Sequence, residues 1–195
     1  MTKALVYLHG YDDDVDTWDD PAAALASNAT TIERVAGPLT LPSGQRAWFE
    51  TDERTGPVTE QVLAAITIVD EAIAEVEAGG VARRDINLVG FSQGAALALL
   101  WARTTSTGPI GGLVAVAGWF PDVDGIDVFG SSTFAAGRAL IACGADDEVI
   151  PDLLSRSAAK RLTADGTDVT LVEQDAGHDP RPFIPAIRTW LTTGP

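Results

Sequence analysis

The chain has 195 residues, of which 46% are hydrophobic, and its formal net charge is -15. This length is enough for one domain, spanning residues 1–195, with a sizeable core, and the apolar fraction is too high for a disordered chain. The negative charge disfavours nucleic acid and anionic membranes as partners, because both are negatively charged themselves. No apolar run approaches the roughly 20 residues that span a membrane.

Cysteine usage and the first residues indicate a cytoplasmic protein. Cys143 is the single cysteine, which excludes an internal disulfide and a zinc site built from cysteines. Met1-Thr2-Lys3 leads directly into an apolar segment and lacks the pattern of a secretory signal peptide. No feature of the sequence indicates an oligomeric state.

The acidity itself has two interpretations. Lys3 and Lys160 are the only lysines, and aspartate is favoured among the acidic residues. One interpretation is an ordinary acidic enzyme from a high-GC genome, in which arginine displaces lysine. The other is adaptation to high salt, in which a strongly charged surface is a known device.

Six short apolar segments have the composition of buried strands. In chain order they cover residues 4–8, 30–35, 86–89, 112–117, 139–143 and 169–172. Asp19 or Asp20 predicts the cap of a short helix with Pro21 at its first position, running to about Ser27. Further helices are expected at 59–78, 93–103, 153–164 and 182–191, and loops at 37–44 and 52–57.

The alternation of strands and helices predicts the fold class. Such chains form an α/β fold with a mostly parallel central sheet and helices on both faces. Ligands of these sheets bind beyond the carboxyl ends of the strands. Five predicted strands end in polar or aromatic residues there: His9-Gly10-Tyr11, Ser92, Trp119, Asp146-Asp147 and Gly177-His178.

The segment around Ser92 predicts a nucleophile. Gly90-Phe91-Ser92-Gln93-Gly94 fits the G-x-S-x-G elbow of α/β-hydrolases, a strained turn that exposes the serine at the edge of the sheet. Three fixed positions in five occur by chance in about one chain in ten of this length. The context strengthens the match, because an apolar strand precedes the motif and a helical pattern follows it.

A serine hydroxyl needs an adjacent base, and the chain offers only His9 and His178. The order serine, acid, histidine of α/β-hydrolases selects His178. The acid that orients this histidine should follow the strand that ends at Cys143, where the spacing leaves Asp146 and Asp147 open. An acyl-transfer intermediate also needs N–H donors for its oxyanion, and the backbone amides of Gln93 and Tyr11 are suitably placed.

Together these motifs resemble the phospholipase/carboxylesterase family, which includes acyl-protein thioesterases and small bacterial carboxylesterases. The resemblance spans nearly the whole chain and rests on Leu8-His9-Gly10, Gly90-Phe91-Ser92-Gln93-Gly94, Gly118-Trp119-Phe120-Pro121, Gly144-x-x-Asp147-x-x-Ile150-Pro151 and Gly177-His178. It implies the α/β-hydrolase fold and a catalytic triad of Ser92, Asp147 and His178. It also implies oxyanion amides at Tyr11 and Gln93.

The chain departs from the family pattern at two positions. Asp12 stands where the family usually has a second glycine, and Ala117 where it usually has a serine. Gln45-Arg46-Ala47-Trp48-Phe49 resembles the segment that walls the acyl pocket in the family. The resemblance suggests a substrate pocket walled by Trp48, Trp119 and Phe120, although these aromatic residues could equally belong to the core.

The acidic loop after the first strand does not predict a metal site. Asp12, Asp14 and Asp16 imitate the start of a calcium loop, but Thr17 and Ala23 replace the glycine and glutamate that such a loop requires.

The expected activity is hydrolysis of short- to medium-chain carboxylic esters through an acyl-enzyme on Ser92, without a cofactor. The partner is then a small-molecule ester. The alternatives are an acyl thioesterase or lysophospholipase-type hydrolase with the same apparatus, and a hydrolase fold that is catalytically inactive and serves only for binding.

Overall fold

Six strands form one parallel sheet at the centre of the computed structural model, which describes residues 3–25, 30–52, 56–128 and 134–193. The strands are β1 (Lys3–Leu8), β2 (Thr30–Val35), β3 (Ile86–Phe91), β4 (Gly112–Val116), β5 (Arg138–Gly144) and β6 (Asp168–Gln174). All six predicted strands are present, with only their ends shifted.

The order of the strands in the sheet is β6-β5-β4-β3-β1-β2, and every neighbouring pair is parallel. The chain begins at β1, adds β2 on one side and then crosses to β3 on the other. The direction of winding therefore reverses beside β1. The carboxyl ends of β1 and β3 border the crevice where α/β sheets bind their ligands.

Helices cover both faces of the sheet, as the sequence predicted. They are α1 (Asp19–Leu25), α2 (Thr59–Ala78), α3 (Gln93–Thr104), α4 (Asp152–Ala164) and α5 (Ile184–Thr193). Side chains of β1 alternate between the two faces. Ala4, Val6 and Leu8 belong to the core cluster of α2, α3 and α4, whereas Leu5 and Tyr7 belong to the cluster of α1 and α5.

The structure corrects the predicted start of the first helix. A 3-10 turn (Val15–Trp18) precedes α1, and α1 begins at Asp19, so Pro21 is its third residue rather than its first. Proline is tolerated there because the N–H groups of the first turn have no acceptor within the helix. The predicted end near Ser27 lies outside the described residues.

Two segments predicted as loops contain short antiparallel hairpins. Residues 39–40 pair with 46–47, and residues 51–52 pair with 56–57. The last helix also differs slightly from the prediction, because a 3-10 turn (Arg181–Phe183) comes before α5. Within the described parts of the chain, no helix is long and apolar enough to cross a membrane.

Candidate active site

The turn between β3 and α3 holds Ser92 in a strained conformation. Its φ of 52° and ψ of -118° are unusual for a residue with a side chain. The Ser92 N–H donates to the Val116 carbonyl at 2.9 Å, which ties the turn to the end of β4. A Cβ on Gly90 would lie only 2.5 Å from the Gly94 oxygen and 2.6 Å from the Ala95 Cα, so this tight turn requires glycine there.

Ser92, His178 and Asp147 form a hydrogen-bonded line at the carboxyl edge of the sheet. Ser92 Oγ lies 3.0 Å from Nε2 of His178, and Nδ1 of His178 lies 2.8 Å from Oδ2 of Asp147. These residues follow β3, β6 and β5, so the sheet brings together side chains that are far apart in the sequence. The structure also separates the two candidate acids, because it is Asp147 that reaches the histidine.

The loop after β5 fixes the Asp147 carboxylate. Its second oxygen, Oδ1, accepts hydrogen bonds from the N–H groups of Val149 and Ile150, at 2.9 and 2.8 Å. The Asp147 side chain is 1% exposed, whereas that of His178 is 21% exposed. A buried carboxylate with three donors is held firmly, whereas its partner histidine remains partly exposed.

These hydrogen bonds assign the tautomer of His178. A carboxylate only accepts, so Nδ1 carries the proton that is donated to Asp147. Nε2 then has a free lone pair for the Ser92 hydroxyl. The Phe91 ring packs against the imidazole, with the ring centroids 4.7 Å apart. This arrangement can remove a proton from Ser92 as the hydroxyl attacks an electrophile.

The two residues whose amides are expected to stabilise an oxyanion are Gln93 and Tyr11. Gln93 is the first residue of α3, so its N–H has no acceptor within the helix. Tyr11 follows β1, and both residues line the same cavity as Ser92. The chain then turns at Asp12, whose φ of 55° lies in the region that favours glycine, and the Asp12 carboxylate accepts a hydrogen bond from the Ser43 hydroxyl.

His9, the other histidine, is 1% exposed and has structural partners. Its Nε2 accepts the N–H of Gly37 at 2.8 Å, and its Nδ1 lies 2.7 Å from the Gly10 carbonyl oxygen. The Trp48 ring stacks on it, with the centroids 5.0 Å apart. Both nitrogens of His9 are therefore occupied, and His178 is the histidine that contacts Ser92.

A cavity of about 690 Å³ opens beside Ser92, with apolar walls and a few polar groups. Its described walls are Tyr11, Phe49, Glu50, Thr51, Val58, Ser92, Gln93, Trp119, Val149 and Ile150. This size is typical of small-molecule sites. In the described part of the chain, no group of three or more histidine, cysteine, aspartate and glutamate side chains could hold a metal ion.

The three residues suggested as pocket walls have different positions. Trp119 lines the cavity. Trp48 is 0% exposed and belongs to the core, where its Nε1 donates to the His9 carbonyl at 2.8 Å. Phe120 packs against the core, with the Arg103 guanidinium 5.8 Å from its ring centroid. Neither Trp48 nor Phe120 is among the described walls of the cavity.

Sequence reasoning missed several cavity residues. Within segment 45–49 the described wall is Phe49 rather than Trp48. Glu50, Thr51, Val58, Val149 and Ile150 also line the cavity and were not predicted as walls. The Ile150-Pro151 pair was noted only as part of a family motif. Its position three residues after Asp147 could have indicated a wall, since this loop borders the candidate site.

Comparisons with known proteins identify the family of this chain. A sequence model of the phospholipase/carboxylesterase family matches residues 1–191. The chain is similar to acyl-protein thioesterase 1 of Yarrowia lipolytica, at 27% identity over 166 residues, which are 76% of this chain and 71% of that protein. A homologue of the same name from Cryptococcus neoformans is 30% identical over 134 residues, which are 62% of this chain and 56% of that protein.

A solved structure supports the fold. The crystal structure of esterase PE8 superposes with a TM-score of 0.84 over 98% of this chain and 92% of that chain, at 22% sequence identity. At such identity the likeness concerns the fold alone. The family match covers nearly the whole sequence, and the chain therefore belongs to the phospholipase/carboxylesterase family of ester hydrolases.

Proposed function

We propose that this protein hydrolyses short- to medium-chain carboxylic esters through an acyl-enzyme on Ser92. The observation that carries the proposal is the hydrogen-bonded line from Asp147 through His178 to Ser92, which ends in a cavity of about 690 Å³. A nucleophile, a base and a group that orients the base are the parts that acyl transfer needs.

Acylation begins when the Ser92 oxygen attacks the ester carbonyl carbon. Nε2 of His178 takes the hydroxyl proton, and Asp147 stabilises the resulting imidazolium. The carbonyl oxygen becomes an oxyanion, which accepts hydrogen bonds from the N–H groups of Tyr11 and Gln93. The intermediate then collapses, the ester C–O bond breaks, and His178 gives its proton to the departing alkoxide.

Deacylation repeats these steps with water as the nucleophile. The water oxygen attacks the acyl carbon while His178 takes a proton from the water. His178 then gives this proton to the Ser92 oxygen, which leaves as the acyl–enzyme bond breaks. The products are an alcohol and a carboxylic acid. Every proton and bond is supplied by the ester, water and this chain, so the reaction needs no cofactor.

The cavity favours a modest acyl group. Phe49, Val58, Trp119 and Ile150 give it apolar walls suited to an alkyl chain, and its volume falls in the middle of the usual range for small ligands, about 300–1,000 Å³. A thioester with the same acyl group is the second candidate substrate, because the two curated relatives are named acyl-protein thioesterases.

We place the activity in the cytoplasm, since the one cysteine, Cys143, is free and buried.

Mutation of the two reacting residues tests the acyl-enzyme. Ser92→Ala, His178→Ala and the double variant should each lose a similar, large factor in kcat on a nitrophenyl ester, because the pair acts as one unit. Thermal unfolding of each variant serves as the control for folding. More than a few per cent of wild-type kcat in Ser92→Ala would refute the assignment.

A fluorophosphonate probe separates an enzyme from an inactive fold. Only an activated serine reacts with such a probe, so the wild type should be labelled and Ser92→Ala should not. Nitrophenyl esters of graded chain length, measured beside acyl-CoA thioesters, then define acyl length and leaving group. An unlabelled wild-type protein would favour the binding-only alternative.

A further inference from the structure

The candidate oxyanion donor at Tyr11 belongs to a peptide whose other end is held by His9. The carbonyl of Gly10 and the N–H of Tyr11 form one planar trans unit, so the two groups point in opposite directions. Whatever fixes the direction of the Gly10 carbonyl also fixes the direction of the Tyr11 N–H. The carbonyl oxygen lies 2.7 Å from Nδ1 of His9.

The partners of His9 determine which nitrogen carries its proton. The N–H of Gly37, 2.8 Å from Nε2, can only donate, so Nε2 is the acceptor. In the neutral ring Nδ1 is then protonated and donates to the Gly10 carbonyl.

The surroundings of His9 favour its neutral form. Burial lowers the pKa of His9, and this effect outweighs the hydrogen bond to Gly10 and the carboxylates of Asp13 and Asp14, which favour the charged form. The Arg46 guanidinium also disfavours the charged form. A neutral ring retains the lone pair that binds Gly37.

Buried hydrogen bonds of segment 48–49 connect His9 to Gln93, whose backbone amide is the second candidate donor. Trp48 stacks on the His9 ring and donates from Nε1 to the His9 carbonyl, at 2.8 Å. The Gln93 side-chain oxygen accepts a hydrogen bond from the backbone N–H of Trp48 at 2.9 Å. The side-chain nitrogen of Gln93 donates to the Phe49 carbonyl at 2.7 Å. Segment 48–49 therefore holds both the residue before the Gly10–Tyr11 peptide and the residue after Ser92.

We propose that His9 is a positioning residue of the oxyanion hole, which aims the Tyr11 N–H at the developing oxyanion by holding the Gly10 carbonyl. The inference rests on the proposed function, because it assumes that the Tyr11 N–H stabilises that oxyanion. His9 touches no reacting atom and exchanges no proton with the substrate. Its contribution is geometric, and it should appear in the transition state rather than in substrate binding.

Two variants of His9 separate the hydrogen bond from packing. His9→Phe keeps a ring that can stack on Trp48 but removes both nitrogens, and we expect kcat to fall about tenfold to a hundredfold. Removal of a whole oxyanion donor costs about 10²–10³ in kcat, and here the donor is misdirected rather than deleted. His9→Asn places an amide N–H near the position of Nδ1–H and should restore most of kcat, while KM changes little in either variant.

A transition-state analogue provides a readout that simple destabilisation would not give. A trifluoromethyl ketone adds to Ser92 and forms an alkoxide in the oxyanion site, so its affinity should fall in His9→Phe by the same factor as kcat/KM. Inhibition by the product carboxylic acid should be unchanged. The matched control is Val35→Ala at the end of the neighbouring strand β2. This core residue is not among the described walls of the cavity, so the substitution weakens the core and should keep kcat within about twofold.

The wild-type protein provides a test that does not depend on a variant's folding. Nitrogen-15 NMR of the two histidines should show His9 as the Nδ1–H tautomer, and a protonated Nε2 would overturn the inference. Unchanged kcat and analogue affinity in a folded His9→Phe would also overturn it and leave the proposed function intact. A wild-type protein that neither hydrolyses esters nor reacts with fluorophosphonate would refute the proposed function instead.

Discussion

Asp146 and Asp147 are adjacent in the sequence, but their carboxylates have different surroundings. Asp147 turns inward, where His178 and the N–H groups of Val149 and Ile150 take up both oxygens. Asp146 is exposed, and its contact with the next loop is a backbone hydrogen bond to the Ala176 carbonyl. The turn after β5 makes this distinction, which the spacing of the two residues could not.

This difference predicts opposite results for two conservative substitutions. Asp147→Asn should lower kcat by about 10⁴, because an amide N–H facing Nδ1 would favour the wrong tautomer of His178. Asp146→Asn is the matched control and should cost less than about twofold. Steady-state kinetics on a nitrophenyl ester measure both effects. A large loss in Asp146→Asn with little loss in Asp147→Asn would show that the acid is misassigned.

Aromatic residues of the site illustrate a limit of sequence reasoning at the same scale. The segment 45–49 was identified as a candidate pocket wall. Trp48 and Phe49 both belong to the core cluster, yet only Phe49 is among the described walls of the cavity. Trp119 and Phe120 diverge in the same way. These residues lie in irregular segments, where no periodicity fixes the direction of a side chain. The proximity of Ser92 and His178 could be predicted because the elbow motif and the ends of strands constrain their positions.

The elbow between β3 and α3 depends on close contact of backbones. A Cβ at Gly94 would meet the carbonyl oxygens of Leu8 and His9, which are backbone atoms and cannot rotate away. The start of α3 therefore rests directly on the end of β1. This contact places the candidate oxyanion loop next to Ser92.

Gly94→Ala should consequently affect both stability and activity. Overpacking against fixed atoms costs about 1–3 kcal/mol, and α3 must move away from β1, which also displaces Ser92 and Gln93. We expect a lower midpoint of urea unfolding and a kcat reduced at least tenfold. Gly79→Ala at the end of α2 is the control, since φ is -71° and the nearest contact of the new Cβ is 3.3 Å. A Gly94→Ala protein with wild-type stability and kcat would contradict this account of the elbow.

The elements differ in how well the sequence predicted them. The helix predicted over 59–78 agrees with α2 at both ends, because its buried residues recur at helical spacing over twenty residues. The short hairpins were not predicted. Each of their strands has two residues, and the pairing of Arg46 is supported by a bridge to Asp13 from a different loop. Local patterns do not contain such long-range contacts.

At the scale of the whole molecule, charge is the unusual property. Aspartate and glutamate total 28 residues against 13 lysines and arginines, so one-to-one pairing would still leave 15 carboxylates without a cation. The ion pairs of Arg83, Arg156 and Arg181 in the described structure are partly or largely exposed, and exposed pairs contribute little to the stability of the folded state. Repulsion among carboxylates should therefore weaken the folded state at low ionic strength.

Helix α2 shows this repulsion locally. Glu71 and Glu75 are exposed and one helical turn apart, a spacing at which like charges destabilise a helix by about 0.2–0.5 kcal/mol. Glu75→Lys replaces the repulsion from Glu71 by an attraction. Comparison of this variant with the wild type tests how far repulsion between carboxylates determines the response of the melting temperature to salt.

If the acidic surface is an adaptation to high salt, KCl should raise the melting temperature substantially. The Debye length shrinks from about 10 Å at 0.1 M to about 3 Å at 1 M, so most repulsion between carboxylates should be screened over that range. Salt also strengthens apolar burial in a manner that depends on the ion, and a parallel series in a sulfate salt separates the two effects. Glu75→Lys should melt higher than the wild type at 0.1 M KCl and gain less from added salt.

The measurement is thermal unfolding from 0.1 to 3 M KCl, with esterase activity followed alongside. A flat melting temperature, or activity that falls steadily with salt, would rule out the adaptation and leave an ordinary acidic enzyme whose catalytic assignment is unaffected.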